Sequence, residues 1–374
     1  MPTIMIVAGE PSGDLHASRV ASKLNDLAPG IHLVGMGGDL MEQSGVSLIF
    51  HIRDSAVMGI GEVVASIPAF LKKRKLLKRF IRETKPDALL LVDFAEFNLA
   101  LARFSHKLGI PVIYYIPPKA WAWRPHRAKK IAKNTTIVAS IFPFETTFYR
   151  HAGANAKFVG HPLVDFAQSN LSREEARRTL NLRENSPVLG LMPGSRRREV
   201  DRLLPVMLEA ARHIRECVPD CQFILPLAPS IHPESLPKTP FVHLVKGNAY
   251  DSMRASDLML IASGTATLEA ACLGTPMIVL YKMSRSSWWI IKSLAAIDWS
   301  ALPNIIAGRE IVPELLQNDA QPSQITPIAL KLLQSLEARQ SQKNELEKVY
   351  AQLGNPGTAE RTAQIVLDCL AFTS

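Results

Sequence analysis

The sequence predicts an α/β fold of two Rossmann-like domains that face each other across a cleft. Short apolar runs alternate with stretches of helical period, and the same pattern starts again near residue 188. The length of 374 residues also exceeds what a single hydrophobic core usually supports. Strands that alternate with helices form parallel sheets with right-handed crossovers, so we expect ligands at the carboxyl ends of the strands.

The first domain is predicted over residues 1–165. Its apolar runs predict strands separated by helices, at residues 4–8, 31–35, 88–92, 112–115, 136–142 and 157–159. The second domain is predicted over residues 166–345, with strands at residues 188–192, 222–226, 242–244, 258–261 and 277–281. Residues 346–374 have a helical pattern, and we expect these helices to pack back on the first domain.

Charge and composition restrict the class of protein. The net charge of +9 suits an anionic partner, which nucleic acid, a phosphorylated substrate or an acidic lipid surface would each provide. The four cysteines form no CxxC pair, so reduced thiols are expected rather than a metal site or disulfides. No apolar run reaches the length of about 18 residues that spans a bilayer, and the first residues do not resemble a secretory signal. We therefore expect a cytoplasmic protein that is still able to lie on a membrane.

The loop GEPSGD follows the first predicted strand and holds Glu10, Ser12 and Gly13. Its glycines allow a tight turn and the close approach of a ligand, and Ser12 or Asp14 is suited to cap the next helix. A strand-to-helix turn needs such residues in any case, so the loop alone does not establish a site. Glu10, a carboxylate without a capping duty, is the candidate for chemistry.

The segment DFAEFN follows the strand ALLLV and places Asp93 at the end of that strand, with Glu96 three residues later. Removing a proton from a hydroxyl group needs a general base, and burial at a strand end raises the pKa of a carboxyl group. Asp93 is therefore the first candidate for a catalytic base. The alternative is that it caps the following helix.

The segment PPKAWAWRPHRAKK, residues 117–130, combines tryptophans with cations and includes Trp123 and Arg124. These side chains are suited to stack on a sugar or to contact an acyl chain. A buried anchor between the two domains is an equally good interpretation.

Two loops of the second domain together predict a site for a nucleotide diphosphate. PGSR follows the strand at residues 188–192 and opens a helix whose N-terminal amides can hold a phosphate, and Arg196 adds a charged fork. SGTATLEA follows the strand at residues 258–261 in the same way, and Glu269 is placed to bind the two hydroxyls of a ribose. Each loop is weak evidence alone, but the two stand at neighbouring strand ends.

A basic amphipathic segment from residue 63 to residue 85 predicts binding to a membrane surface. Lysines and arginines fill most positions between its apolar residues, which include Val63, Ile67, Phe70 and Leu71. A crossover helix packed on a sheet is amphipathic too, so this alternative stays open.

Trp288 and Trp289 form a second candidate contact with lipid, because they lie among cations and tryptophan prefers the interface between water and lipid.

Nucleic acid would also explain the positive charge. The cations, however, concentrate on a segment with a regular apolar face, which favours a lipid surface.

Eight motifs in order resemble those of the lipid A disaccharide synthases over essentially the whole chain. They are VAGEPSGD, AVMGIGEV, the segment from Asp93 to Asn98, AWAWR, FVGHPL, PGSR with Glu199, LIASGTATLE and ALPNIIAGRE. The resemblance implies a GT-B fold and an inverting glycosyl transfer at the cytoplasmic surface of the inner membrane. The donor would be UDP-2,3-diacylglucosamine and the acceptor 2,3-diacylglucosamine 1-phosphate, and the products would be a lipid A disaccharide 1-phosphate and UDP.

The resemblance also implies roles for residues. Asp93 matches a residue important for activity, and Glu10 is the second catalytic candidate. The residues expected to bind UDP or the donor are Gly194, Ser195, Arg196, Gly264, Thr265, Glu269 and Asn304. The residues expected on the acceptor side or in the cleft are Ser12, Gly13, Glu96, Trp123 and Arg124.

The first domain would then lie on the acceptor and membrane side, and the second would bind the UDP-sugar. No Asp-X-Asp motif stands at a strand end, so we expect no obligatory metal, and no cofactor because the UDP-sugar is a substrate. Lipid-linked sugars are the expected partners, nucleic acid is not expected, and a homodimer is kept as a hypothesis.

Other functions stay open at this point. Within the same fold, the alternatives are a UDP-N-acetylglucosamine 2-epimerase and the transferase that makes the last lipid-linked peptidoglycan precursor. The latter should carry GGxGGH after the first strand, where this chain has GEPSGD. A non-catalytic nucleotide- or membrane-binding module is the alternative from another class, and the presence of both Asp93 and the UDP-type loops argues against it.

Overall fold

The computed structural model describes residues 1–55, 60–284, 288 and 297–371, without the side chains of residues 54, 55, 60–69, 123 and 371. The chain forms two compact α/β units, one of Met1–Pro162 with Gly354–Ser374 and one of Leu163–Leu353. The boundary predicted between residues 345 and 346 therefore lies inside a helix of the second unit. Of the helical segment predicted at residues 346–374, the helix Thr358–Ala371 belongs to the first unit.

The first unit is built on a parallel sheet. Its strands are β1 (Thr3–Ala8), β2 (His32–Gly37), β3 (Ser47–His51), β4 (Ala88–Val92), β5 (Val112–Tyr115), β6 (Ile137–Ser140) and β7 (Ala156–Phe158). They lie in the order β3-β2-β1-β4-β5-β6-β7. All five residues of β4 and residues 4–8 of β1 are fully buried, because helices cover both faces of a parallel sheet.

The helices of the first unit follow its strands in alternation. They are α1 (Pro11–Leu27), α2 (Asp39–Gln43), α3 (Ile60–Thr84), α4 (Ala95–His106), α5 (Ala120–Trp123), α6 (Arg127–Asn134) and α7 (Pro143–His151), with α16 (Thr358–Ala371) at the end of the chain. The last of these, α16, packs against α1 and buries Ala363 and Val366.

The second unit repeats this architecture with its own parallel sheet. Its strands are β8 (Val188–Met192), β9 (Gln222–Leu227), β10 (Val242–Lys246), β11 (Leu258–Ala262), β12 (Met277–Tyr281) and β13 (Glu314–Leu316). They lie in the order β10-β9-β8-β11-β12-β13. Buried apolar residues of these strands, mostly leucines, and of the helix that follows β8 form its core.

The helices of the second unit complete the fold. They are α8 (Leu163–Phe166), α9 (Arg173–Thr179), α10 (Arg197–Cys217), α11 (Ala249–Ala255), α12 (Thr265–Cys272), α13 (Leu302–Ala307), α14 (Pro322–Gln334) and α15 (Leu336–Gln352). Within the described part of the chain, no helix is both long enough and apolar enough to span a membrane.

Candidate active site

Both predicted loops of the first unit stand at the switch point of its sheet. The neighbouring strands β1 and β4 continue to β2 on one side and to β5 on the other, and a crevice opens at the carboxyl ends of such a strand pair. The loops touch here, since a Cβ atom on Gly9 would lie 2.2 Å from the ring of Phe94. Only glycine leaves room for that ring.

Asp93 is held at this point by buried polar groups. It has a left-handed backbone with φ 48°, and Phe94 has φ 51°. Such conformations cost about 1–3 kcal/mol each and persist where the surroundings impose them. Here the Asn98 amide donates to the carbonyl oxygens of Asp93 at 2.8 Å and Val92 at 3.2 Å, and the Tyr114 hydroxyl donates to that of Asp93 at 2.9 Å. The core thus fixes the backbone that carries this carboxylate.

The surroundings of Asp93 also make it a better base. Burial raises the pKa of its carboxyl group, and the Phe94 N–H and the positive charge of Lys119 partly oppose that rise. A carboxylate with a raised pKa accepts a proton more readily. The side chain stays partly exposed, so a substrate hydroxyl can reach it.

Sequence reasoning missed three ionisable neighbours of this region. Lys119 acts electrostatically on Asp93, Glu145 and His161. Burial raises the pKa of Glu145 to about 7, and burial lowers that of His161 to about 3, with the charges of His16 and Lys119 adding to the effect. The motif FVGHPL contained the signal for His161, whereas no sequence pattern marked Glu145.

Glu145 is wholly buried yet bonded. Its two carboxylate oxygens accept hydrogen bonds from the indole nitrogen of Trp121 at 3.0 Å and from the Ile141 N–H at 3.3 Å. It therefore ties helix α5, the centre of the AWAWR motif, to the end of β6.

The GEPSGD loop differs in detail from expectation. Helix α1 begins at Pro11, so Ser12 and Gly13 lie in its first turn rather than in the loop before it. Glu10 is exposed at the N-cap position and its side chain makes no cap hydrogen bond.

Asp14 does not cap α1, as the sequence had suggested. Its buried carboxylate accepts hydrogen bonds from the N–H groups of Gly38 at 2.6 Å, Leu40 at 3.2 Å and Met41 at 3.2 Å. Asp14 therefore caps α2 and has a structural role.

The remaining acceptor-side candidates lie nearer the surface. Glu96 is largely exposed and forms an ion pair with Arg127 at 2.5 Å. Arg124 is exposed directly after α5, and the side chain of Trp123 lies outside the described residues. The ion pair makes Glu96 a weaker candidate for the base than Asp93.

The two predicted UDP loops likewise stand at the switch point of the second sheet. The neighbouring strands β8 and β11 continue to β9 and β12 on opposite sides. Gly194 has φ 112°, and a Cβ atom there would lie 2.4 Å from the Glu199 carboxylate, so this position requires glycine. The PGSR loop is thus shaped by the helix it precedes, although α10 begins only at Arg197.

Arg196 presents its guanidinium to solvent from this loop. Its side chain is 84% exposed and lies 3.4 Å from Glu199, whose carboxylate also accepts the Arg196 backbone N–H at 3.3 Å. Glu199 therefore orients Arg196 and leaves most of its N–H groups for an anion.

The SGTATLEA loop presents hydroxyl groups and a carboxylate. Gly264 and Thr265 are exposed at the start of α12, and the buried Thr267 hydroxyl donates to the Gly264 carbonyl at 2.7 Å. Glu269 accepts from the Tyr250 hydroxyl at 3.4 Å, and burial raises the pKa of its carboxyl group. Glu269 keeps acceptor positions for ribose hydroxyls, and Tyr250 is a further candidate that sequence reasoning missed.

Asn304 does not suit a role as donor contact. It is fully buried, and its amide nitrogen donates to Val312 at 2.9 Å and to Glu314 at 2.7 Å. Its amide oxygen accepts from the N–H groups of Ile311 at 2.7 Å and Val312 at 3.0 Å. All of its hydrogen-bonding positions are used, so Asn304 shapes the loop after α13.

The predicted membrane residues fall into three groups. Phe70 packs edge-on against Phe94 and Phe97, with ring centroids 5.7 and 4.9 Å apart, so it belongs to the core rather than to a lipid contact. Leu71 is 46% exposed and Trp288 is half-buried. The side chains of Val63, Ile67 and Trp289 lie outside the described residues.

One group of possible metal ligands occurs in the described part of the chain. Asp39, Glu42 and His51 place ligand atoms within 4.8 Å of one another on the surface near α2. The Arg53 guanidinium already contacts both carboxylate oxygens of Asp39, at 2.5 and 2.6 Å. This group lies outside the switch point, and we assign it no part in the site.

Comparison with known proteins separates the alternatives. The model of the lipid-A-disaccharide synthetase family matches residues 4–369, nearly the whole chain. The chain belongs to the lipid-A-disaccharide synthase family. It is 42% identical over 370 residues to the lipid-A-disaccharide synthase of Syntrophus aciditrophicus (strain SB), with 97% of each chain covered.

Solved structures confirm the GT-B fold of this family member. A UDP-GlcNAc 2-epimerase from Neisseria meningitidis bound to UDP-GlcNAc aligns over 100% of both chains, with a TM-score of 0.65 and 14% identity. The calicheamicin glycosyltransferase CalG4 aligns over 99% of this chain and 98% of its own, with a TM-score of 0.63 and 14% identity. At such identities the likeness shows the fold alone, so the epimerase alternative has no support at the level of sequence.

Proposed function

We propose that this chain joins UDP-2,3-diacylglucosamine to 2,3-diacylglucosamine 1-phosphate, forming lipid A disaccharide 1-phosphate and UDP. The single observation that carries this conclusion is the family match over nearly the entire chain. The polar loops at both switch points fit a reaction that needs one base and one diphosphate site.

In the proposed reaction, Asp93 acts as general base. The 6-hydroxyl of the acceptor gives its proton to the Asp93 carboxylate as its oxygen attacks the anomeric carbon of the donor. The bond from that carbon to the diphosphate breaks, and its electron pair leaves with UDP. The raised pKa of Asp93 and its fixed backbone support this role, and Glu10 is the alternative base.

The second unit would stabilise the leaving group. The Arg196 guanidinium and the N-terminal amides of α10 and α12 supply positive charge where the diphosphate becomes more negative. Glu269 would hold the ribose. In this proposal the charge is balanced by the protein itself, so a metal chelator should leave the rate unchanged.

We also propose that the enzyme works as a peripheral protein on the cytoplasmic face of the inner membrane. Helix α3 and the residue after it expose Lys72, Lys75, Arg79, Arg82 and Lys85. Each such cation contributes about 1 kcal/mol near an anionic surface. Acyl chains cost about 0.8 kcal/mol per CH₂ to remove from lipid, so the substrates must be reached at the surface.

Mass spectrometry of the products tests the proposed reaction directly. Purified protein is incubated with the two lipid monosaccharides, with and without a chelator, beside the Asp93→Asn variant. We expect a disaccharide 1-phosphate and UDP from the wild type, and roughly 10²–10⁴-fold less from the variant. No disaccharide from the wild type would overturn the function. A fully active variant would overturn only the role of Asp93.

A further inference from the structure

The second unit contains a cavity at the edge of its sheet opposite the predicted UDP loops. Its lining includes Ser256, just before β11, and Thr275, just before β12, so it lies at the amino ends of these strands. The PGSR and SGTATLEA loops stand at the carboxyl ends. The cavity has a volume of about 420 Å³, within the range of small-molecule sites.

Three cations from three different helices line this cavity. Arg173 begins α9, Arg254 stands in the last turn of α11, and Lys343 lies in the middle of α15. The acidic residue of the lining is Glu347, which is exposed. The walls are therefore positive on balance.

These three side chains offer more N–H groups than the neighbouring protein atoms accept in hydrogen bonds. One terminal nitrogen of Arg173 pairs with Asp257, but its Nε atom is buried and has no hydrogen-bond partner. Lys343 makes no hydrogen bond or ion pair with any residue that the structure describes. Burial and the positive charges of Arg173, Arg339 and Arg254 lower the pKa of Lys343, and the charge of Asp257 opposes them.

Helix ends explain part of this arrangement. The carboxyl ends of α11 and α12 adjoin the cavity, and cations are favourable beside such ends. Arg254 uses this interaction, because its guanidinium donates to the Leu273 carbonyl at 3.4 Å. The buried Nε of Arg173 still has no hydrogen-bond partner, and Lys343 has no ion-pair partner among the described residues.

We propose that this cavity binds a small phosphorylated molecule at a site distinct from the UDP loops. Arg173, Arg254 and Lys343 surround the phosphate, since a dianion satisfies several cations at once and Arg forks match phosphate oxygens. Tyr350 lines the same wall, about two turns from Lys343 on the same face of α15, and contacts the rest of the ligand. This inference is independent of the proposed reaction.

Thermal melting with pyrophosphate tests the site, with sodium chloride at equal ionic strength as the reference. The background is the double variant Arg196→Ala/Glu269→Ala, in which binding at the UDP loops is weakened. We expect pyrophosphate to raise the Tm of this background, because a ligand that binds only the folded state stabilises it. Adding Lys343→Gln should remove at least half of that shift.

A second variant, expected to change the pyrophosphate shift in the opposite direction, keeps the test decisive if Lys343→Gln disturbs folding. Glu347→Gln removes the exposed carboxylate of the lining and should enlarge the pyrophosphate shift. Glucose 1-phosphate and AMP, tried on the same background, then show whether a sugar phosphate or a nucleotide fits better. No shift with pyrophosphate, or a shift that neither substitution changes, would overturn the proposal.

Discussion

At the scale of single residues, Asp93 shows how a strand end becomes a site. Burial raises the pKa of its carboxyl group, and the Phe94 N–H and the positive charge of Lys119 partly oppose that rise. The carboxylate must be deprotonated to act as a base. In the proposed reaction, burial, the Phe94 N–H and the charge of Lys119 together set the pKa of the base, and with it the acidic limb of the pH–rate profile.

Lys119→Met should move that limb to higher pH. Removing the cation removes a factor that lowers the pKa of Asp93, so the base becomes protonated at a higher pH than in the wild type. The measurement is kcat/KM against pH for wild type and variant. Lys133→Met, an exposed cation of the same unit, is the control and should leave the profile in place. An unchanged limb in Lys119→Met would exclude Asp93 as the titrating base.

The raised pKa of Glu145 predicts that the free energy of unfolding depends on pH. Its pKa rises from 4.5 to about 7 on folding, so the folded state binds more protons than the unfolded state between these values. The contribution to stability is complete below pH 4.5 and is lost as the pH rises through 7. Unfolding by urea from pH 4.5 to 8 should show the wild type losing stability relative to Glu145→Gln. The surface variant Glu83→Gln should follow the wild type at every pH, and a constant difference for Glu145→Gln would contradict the shift.

Arg196 and Glu269 carry the prediction for the donor side. Each of Arg196→Ala and Glu269→Ala removes a charge-assisted hydrogen bond, worth about 2 kcal/mol or roughly thirtyfold in affinity. Titration calorimetry with UDP measures the loss directly. Arg198→Ala, which removes an exposed arginine from the first turn of α10, should bind UDP as the wild type does. Full UDP affinity in both loop variants would place the nucleotide elsewhere.

At the scale of elements, the sequence predicted best the strands that are buried on both faces. The predicted bounds of β4, β5, β8 and β12 are those of the structure, because full burial leaves an unbroken apolar run. The sequence did not predict β3, which is only partly buried, or β13, which has three residues. Edge strands need no continuous apolar run, so their sequences carry little signal.

The site divides in a similar way between what sequence can and cannot predict. The loops that carry Asp93, Arg196 and Glu269 were found because they follow apolar strands. The burial of Asn304 and the partners of Glu145 were not predicted, since both depend on how a polar side chain meets backbone and side-chain groups after the chain has folded. A residue type suited to a ligand is equally suited to satisfy a buried backbone.

In helix α3, too, the sequence alone did not show which apolar residues face the core and which are exposed. Phe70 faces the core, whereas Leu71 and Leu76 are 46% and 40% exposed among the cations. The double variant Leu71→Ser/Leu76→Ser should bind anionic vesicles more weakly with little change in Tm. Phe70→Ala should instead lower the stability, by about 3 kcal/mol.

Vesicle sedimentation at low and high salt measures the binding of the wild type and of the double variant to anionic lipid. Leu108→Ser, which alters an exposed leucine outside α3, is the matched control and should bind as the wild type does. Equal binding by the α3 variant and the control would move the lipid contact to another surface, with Trp288 the next residue to test.

At the scale of the whole molecule, the path of the chain matters. The chain forms the first unit, then the second, and returns to complete the first with α16. The first unit therefore combines segments from both ends of the sequence. Its α1 is covered by a helix more than 300 residues later in the sequence.

Two matched core substitutions test this division. Val366 in α16 is fully buried in the first unit, and Leu332 in α14 is buried in the second. Val366→Ala removes two methyl groups from the buried face of α16, which should cost about 2 kcal/mol, and Leu332→Ala should cost about 3 kcal/mol. Hydrogen exchange followed by mass spectrometry should show faster exchange in α1 and β4 for Val366→Ala, with α14 unchanged. Leu332→Ala should give the reverse pattern, because its neighbours belong to the other core. Faster exchange throughout both units in either variant would mean that the two cores unfold together, and the division of the chain into two units would then have no counterpart in its energetics.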